Sequence, residues 1–197
     1  SIYIFMQNKR IIVGISGASG AIYGVRAIDL LNAAGAEVHL IVSKAAEITL
    51  HDEGLGAGKD LATKVHTAYK LGDIGANIAS GSFKTQGMII APCSIKTMSE
   101  IATGVTSNLL TRAADVQLKE RRPLVLMVRE TPLHLAHLRN MTAATEMGAI
   151  VFPPVPAFYH RPRSIDELVT HSVSRVIDLL DLPQPQAPRW QGLPTAT

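Results

Sequence analysis

Three short stretches of the 197-residue chain combine small residues, hydroxyls and charge in a way that suits a phosphate-bearing ligand. Gly14-Ile15-Ser16-Gly17-Ala18-Ser19-Gly20 follows the β-branched run Ile11-Ile12-Val13 and precedes a helical pattern from Ala21. Ser94-Ile95-Lys96-Thr97 follows the apolar run at 87–91, and Arg129-Glu130-Thr131 follows Leu124-Val125-Leu126-Met127-Val128. Small residues between a strand and a helix let the backbone approach a phosphate, and the helix then aims unpaired N–H groups at it. Lys96 and Arg129 add charge-assisted donors, and Glu130 is an acid placed beside them for proton transfer.

Other chemistries fit less well. Counted from Gly14, Ser16 stands where the dinucleotide fingerprint needs its second glycine, and Val42-Ser43 closes the second strand where a ribose-binding acid belongs. Ala18 follows Ser16-Gly17, so the G-x-S-x-G elbow of serine hydrolases is missing as well. The single cysteine, Cys93, has no histidine near it in sequence and reads as a packed side chain. His134 and His137 stand among Leu133, Leu135 and Leu138, so they read as an ordinary helix pair and not as metal ligands.

The elements that must position these turns follow from the hydrophobic pattern. Strands are expected at 11–16, 37–42, 87–91, 124–128 and 149–151, mostly continuous apolar runs of the kind that are covered on both faces. Helices are expected at 21–34, from 44 to about 51 behind Ser43, from the Ser94 turn to about 102, and at 108–119. Two more follow: one from Thr131-Pro132 to about 147, and one from the Ser164-Ile165-Asp166-Glu167 capping box to about 180. Residues 60–82 are poorly patterned and read as loops and short elements. The proline-rich segment 152–162 reads as a rigid wall carrying aromatic and basic side chains. Alternating strands and helices give right-handed parallel crossovers, hence a single-domain, doubly wound α/β fold with a mostly parallel sheet. In such a sheet the three turns lie on one edge. Ser19 is expected to cap the first helix there.

A 47% hydrophobic share with only 18% charged residues points to surface buried between subunits or to a fully covered sheet. The net charge of +3 comes without a basic, aromatic-interleaved segment, which disfavours nucleic acid. No apolar run reaches the length of a membrane span, and one cysteine suits a reducing compartment, so a cytoplasmic protein is expected. Residues 1–8 read as a leader or remnant ahead of the domain at 9–182, and 183–197 as a proline-rich tail.

Several blocks carry a resemblance. Gly17-Ala18-Ser19-Gly20-Ala21-Ile22-Tyr23-Gly24, Ser43-Lys44-Ala45-Ala46, Pro92-Cys93-Ser94, Arg112-Ala113-Ala114-Asp115, Leu118-Lys119-Glu120-Arg121-Arg122-Pro123, Arg129-Glu130 and Pro156-Ala157-Phe158-Tyr159-His160 resemble the UbiX-type flavin prenyltransferases. The match runs in order through nearly the whole chain. It implies a flavodoxin-like or Rossmann-like three-layer sandwich assembled as a homo-oligomer, a dodecamer, with sites between subunits. It also implies transfer of a dimethylallyl group from dimethylallyl monophosphate to N5 and C6 of reduced FMN, with no metal. The prenylated FMN would serve a UbiD-type decarboxylase in ubiquinone biosynthesis or aromatic-acid breakdown.

Carried over by position, Gly17, Ala18, Ser19, Ser43, Ser94, Ile95, Lys96, Thr97 and Arg129 would hold FMN. The prenyl phosphate would meet Arg112, Lys119, Arg129, Tyr159 and Arg175, with Trp190 closing the site. Ser19, Glu53 and Glu130 would handle protons. Lys119, Arg121 and Arg122 precede a strand, far from their own chain's turns, so Lys119 would act only across a subunit boundary, and the two arginines read as a solvated basic cluster. Two alternatives remain open at this point: an FMN-dependent cysteine decarboxylase, whose Pro-Ala-Ser-Ala-Asn-Thr turn this chain lacks, and a non-catalytic FMN carrier.

Overall fold

The computed structural model describes residues 9–181 and 192–193. Its strands are β1 (Arg10–Ile15), β2 (Glu37–Val42), β3 (Thr67–Tyr69), β4 (Gly87–Cys93), β5 (Leu124–Val128) and β6 (Ile150–Val151). They form one sheet in the order β3-β2-β1-β4-β5-β6, and every pairing is parallel. The helices are α1 (Ala21–Ala33), α2 (Lys44–Asp52), α3 (Gly58–Ala62), α4 (Ile95–Thr103), α5 (Leu109–Lys119), α6 (Leu135–Glu146) and α7 (Ile165–Asp178). The strand order runs outward in both directions from β1 and β4, which makes their C-terminal ends the switch point where ligands bind in such folds.

The sheet divides the core in two, because successive side chains of a strand face opposite ways. Ile11, Val13 and Ile15 of β1 pack with Ile28 and Leu31 of α1 and Val173 and Ile177 of α7. Ile12 packs on the other side with Met98 of α4, Leu110 and Ala113 of α5 and Leu126 of β5. Both faces are therefore covered, as the continuous apolar strands require. Across one face Arg26 of α1 donates to the Asp166 carbonyl at 3.1 Å and also binds the Asp166 carboxylate and the Thr170 hydroxyl, which fixes α1 against α7.

Four local expectations change. Residues 60–82 contain β3 and a 3-10 turn (Asn77–Ala79), with part of α3 before them, so the sheet has six strands instead of five. β4 continues through Pro92 to Cys93. The register shifts between Ile90 and Cys93, so the missing proline N–H falls in an irregular stretch where the ladder does not need it. The helix after β5 starts at Leu135, not at Pro132. The His134 ring accepts from the N–H groups of Ala136 (3.1 Å) and His137 (3.4 Å), and so takes the capping position expected of Thr131. At α7 Ser164 accepts from Glu167 N–H, but the Glu167 carboxylate reaches back to Arg163 N–H at 2.8 Å, leaving the box half formed.

The expected leader at 1–8, most of the expected tail and Trp190 lie outside the described residues. Among the described residues no helix is long and apolar enough to cross a membrane.

Candidate active site

The C-terminal edge of the sheet is stitched together by short hydrogen bonds between the expected turns. Ser16 N–H and Oγ–H both donate to the Pro92 carbonyl, at 3.2 and 2.9 Å, and Ser16 Oγ accepts from Ser94 N–H at 2.8 Å. Ser43 N–H donates to Ile15 O at 3.0 Å, and Arg129 N–H to Cys93 O at 3.2 Å. The ends of β1, β2, β4 and β5 are thus held side by side. The buried Ser16 does most of this and was missed as a site residue from sequence. A hydroxyl at the end of an apolar strand, facing another strand's proline, was the available signal.

The donors left over suit an anion. Ser43 Oγ accepts from Ala46 N–H and Ser94 Oγ from Thr97 N–H, both at 3.1 Å, so each serine caps its own helix. Ser94 Oγ–H also donates to Thr97 Oγ1 at 3.0 Å. Among the described residues, Gly17, Ser19, Ile95 and Lys96 N–H have no protein acceptor. The Gly17 turn packs against α2 so closely that a Cβ at Gly17 would lie 2.2 Å from the Ala45 Cβ. Only glycine keeps that turn on the edge. The Lys96 ammonium is turned away to Glu100 at 3.0 Å.

The N-terminus of α1 departs from the expectation. Its N-cap is Gly20 at φ 96°, and no side-chain cap comes from Ser19, which is exposed. Glu53, at the C-cap of α2, supplies the anion. Its carboxylate accepts from Gly20 N–H at 3.0 and 3.2 Å and from Ala21 N–H at 2.9 Å. Those N–H groups are held by the protein's own carboxylate, whereas those of Gly17, Ser19, Ile95 and Lys96 remain without a protein acceptor among the described residues. The arrangement brings Glu53 and Ser19 to the same turn, 33 residues apart in the chain for the Glu53–Gly20 pair.

Arg129 and Glu130 are exposed beyond β5. The Glu130 carboxylate accepts from the following Thr131 N–H at 3.0 Å. Tyr23 of α1 is close enough to Arg129 for the guanidinium to favour its phenolate, but burial is the stronger effect and raises the phenol above its ordinary value. Burial likewise pushes the Cys93 thiol far up, so it is no nucleophile.

Of the expected prenyl-phosphate residues, Arg129 lies at this edge, whereas Lys119, Tyr159 and Arg175 lie elsewhere in the chain. Arg112 is exposed in the first turns of α5, whose Leu109 N–H bonds Leu71 O just past β3. Lys119 sits at the other end of α5, near the N-terminal edge, and pairs with Glu120 at 2.8 Å. Tyr159 and Arg175 share a cavity of about 60 Å³ with Phe152, His160 and His171 on the β6 flank. α7 ends where Gln86, just before β4, donates to Leu180 O, so Arg175 lies nearer the N-terminal edge than the turns do. Arg122 is committed to the Phe83 and Gly81 carbonyls at 3.0 and 2.7 Å, a structural clamp and not the solvated charge expected.

With this geometry in place, comparison with known proteins is informative. The Flavoprotein family model matches residues 5–177. The flavin prenyltransferase UbiX of Escherichia coli K12 is 56% identical over 187 residues, which cover 93% of this chain and 99% of that protein. The solved structure of AnUbiX in complex with FMN and dimethylallyl pyrophosphate superposes with a TM-score of 0.92 at 43% identity, over 95% of this chain and all of that one. A dodecameric FMN-dependent UbiX-like decarboxylase from Escherichia coli O157:H7 gives 0.89 at 45% identity, over 93% of this chain and all of that one.

Proposed function

The chain belongs to the Flavoprotein family, among the UbiX flavin prenyltransferases, and from that premise we propose a function and a division of labour for its residues. The protein joins a dimethylallyl group from dimethylallyl monophosphate to N5 and C6 of reduced FMN. One observation carries the reading: three turns readable as phosphate-type turns are hydrogen-bonded into a single edge in a chain more than half identical to a prenyltransferase along nearly its full length.

The residues present fit FMN. The edge offers unpaired backbone N–H groups, those of Gly17, Ser19, Ile95 and Lys96 among them, and the exposed guanidinium of Arg129, a donor set for a phosphate and for flavin carbonyls. Reduced FMN, when bound, supplies an electron-rich ring that attacks the allylic carbon. The chain's own task is to orient that ring and to stabilise the departing phosphate. Gly17, Ala18, Ser19, Ser43 and the 94–97 turn hold the flavin nucleotide, with Arg129 beside it. Glu130 accepts the proton released on ring closure, and Ser19 and Glu53 order the groups around N5. Lys119, Tyr159, Arg175 and Arg112 hold the prenyl phosphate from neighbouring copies in a homo-oligomer, a dodecamer as in the related decarboxylase. A UbiD-type decarboxylase receives the product in the cytoplasm. Residues 9–182 form the FMN-binding unit.

Anaerobic incubation with reduced FMN and dimethylallyl monophosphate, followed by mass spectrometry of the extracted flavin, tests the activity. The expected result is a flavin heavier by one prenyl unit, with phosphate released in equal amount. A parallel arm with the pyrophosphate ranks the two donors. Unchanged flavin mass in both arms refutes the proposal and leaves the carrier reading.

A further inference from the structure

Glu37, His39 and His66 bring one possible ligand atom each to within 4.8 Å of one another, on the β2–β3 side of the sheet. We propose that this cluster binds a divalent zinc-type cation that pins the short edge strand β3 to the sheet. The proposal does not depend on the prenyltransferase reading. The Glu37 carboxylate lies 2.8 Å from His39 Nε2 and 3.6 Å from His66 Nδ1. Ligand bonds of about 2.0–2.1 Å in a tetrahedral site place ligand atoms about 3.3 Å apart, so both separations from Glu37 lie within about 0.5 Å of that spacing, and the two histidine nitrogens lie within 4.8 Å of each other. Two histidines and a carboxylate leave the fourth position to water, and the exposed His66 provides the entry path.

The surroundings prepare His39 for this role. Its Nδ1 lies 2.8 Å from the Tyr69 hydroxyl. With metal on Nε2, the ring proton sits on Nδ1 and donates to the Tyr69 oxygen, the outer-shell contact that fixes a ligating histidine. His66 Nδ1 gives up its 2.8 Å bond to Thr67 Oγ1 in exchange. Arg10 opposes binding, since its Nε lies 3.5 Å from Glu37 Oε1, although the guanidinium is also held over the Phe83 ring at 4.2 Å. His39 belongs to β2, Tyr69 to β3, and His66 immediately precedes β3, so the cation would join the two strands through side chains. β3 has only three residues to hold it by backbone pairing.

Titration of Zn²⁺ into the chelator-treated full chain, read by competition with a chromophoric chelator, should give one site per chain. His66→Asn and Glu37→Gln should each weaken it at least tenfold, and Tyr69→Phe by about 10–100-fold. At a free Zn²⁺ concentration of 100 Kd, amide exchange at residues 67–69 should slow by about a hundredfold where opening requires release of the metal. His66 is on the surface, so its variant tests the site even if Glu37→Gln fails to fold. Unchanged affinity in His66→Asn overturns the proposal. So does loss of binding in a His134→Asn/His137→Asn variant instead, because those stacked rings, 3.5 Å apart, are the competing imidazole pair.

Discussion

Replacing Glu53 separates a structural duty from a chemical one. Its carboxylate takes two N–H groups at the start of α1, those of Gly20 and Ala21, at 2.9 to 3.2 Å. Losing a side-chain cap costs roughly 1 kcal/mol, within about 0.5–2. Losing the negative charge from a helix N-terminus adds about 0.3–1. Glu53→Ala should therefore destabilise by about 1–2 kcal/mol, and a chain of this size melts about 2–4 °C lower per kcal/mol. The expected fall is about 2–8 °C, measured by differential scanning calorimetry at one fixed protein concentration, because assembly makes melting concentration-dependent. Glu53→Gln loses the charge and one acceptor oxygen but keeps an oxygen able to accept from both N–H groups, as Oε1 does, so it should fall by about 1–4 °C. Product formation then reads the chemical role. A positioned acid–base group is worth about 10²-fold or more, so the Gln variant should make prenylated flavin at least a hundredfold more slowly while still melting near the parent. If Glu53→Ala melts with the parent, the capping argument fails. If Glu53→Gln turns over normally, Glu53 is only a cap.

Ser16→Ala leaves the half-buried Ser94 N–H without its 2.8 Å acceptor, and should cost about 1–3 kcal/mol in denaturant titration along with weaker FMN retention. Retained stability would show that the edge does not depend on this hydroxyl. Mixing subunits of Glu130→Gln with subunits of Arg175→Ala should restore part of the product formation that each alone lacks, because the two groups would serve one site from different chains. No rescue in mixed oligomers would mean that both act within one chain. Cys93 should resist alkylation in the native protein and react at once in denaturant, followed by intact-mass spectrometry, since burial keeps it a thiol. Fast native labelling would mean that β4 opens at its C-terminal end.

The strands that carry the turns could be read from sequence because they are covered on both faces and so appear mostly as apolar runs. β1, β4 and β5 have this form, and β2 keeps most of it despite Glu37 and the buried His39. β3 does not: Thr67-Ala68-Tyr69 is a half-covered edge strand, too short for any period to register. Helix starts were readable where the cap is a serine, as at Ser43 and Ser94, and hidden where a histidine does the work, as at His134. Glu53 shows the deeper limit. A cap supplied by a residue 33 positions away leaves no local signature, so the glycine-rich turn reads as an open phosphate cradle although two of its donors, Gly20 and Ala21 N–H, already have a carboxylate.

The positions of the cations explain why such a chain would need neighbours. Arg129 is the basic side chain that β5 itself delivers to the turn edge, whereas Lys119 and Arg175 lie toward the opposite edge and the β6 flank. Both remote cations are exposed and rest on acids close in sequence, Lys119 on Glu120 at 2.8 Å and Arg175 on the largely buried Asp178 at 3.5 Å. The exposed Lys119–Glu120 pair is weak, because water screens it and two long side chains must be ordered to make it. A phosphate brought against Lys119 by a neighbouring subunit would therefore displace Glu120 at little cost. Arg122 offers the contrast, since its guanidinium holds two backbone carbonyls that would be left unsatisfied if it moved. Among these three, Lys119 and Arg175 present exposed side chains that a second chain's ligand would reach, whereas Arg122 is committed to its own backbone.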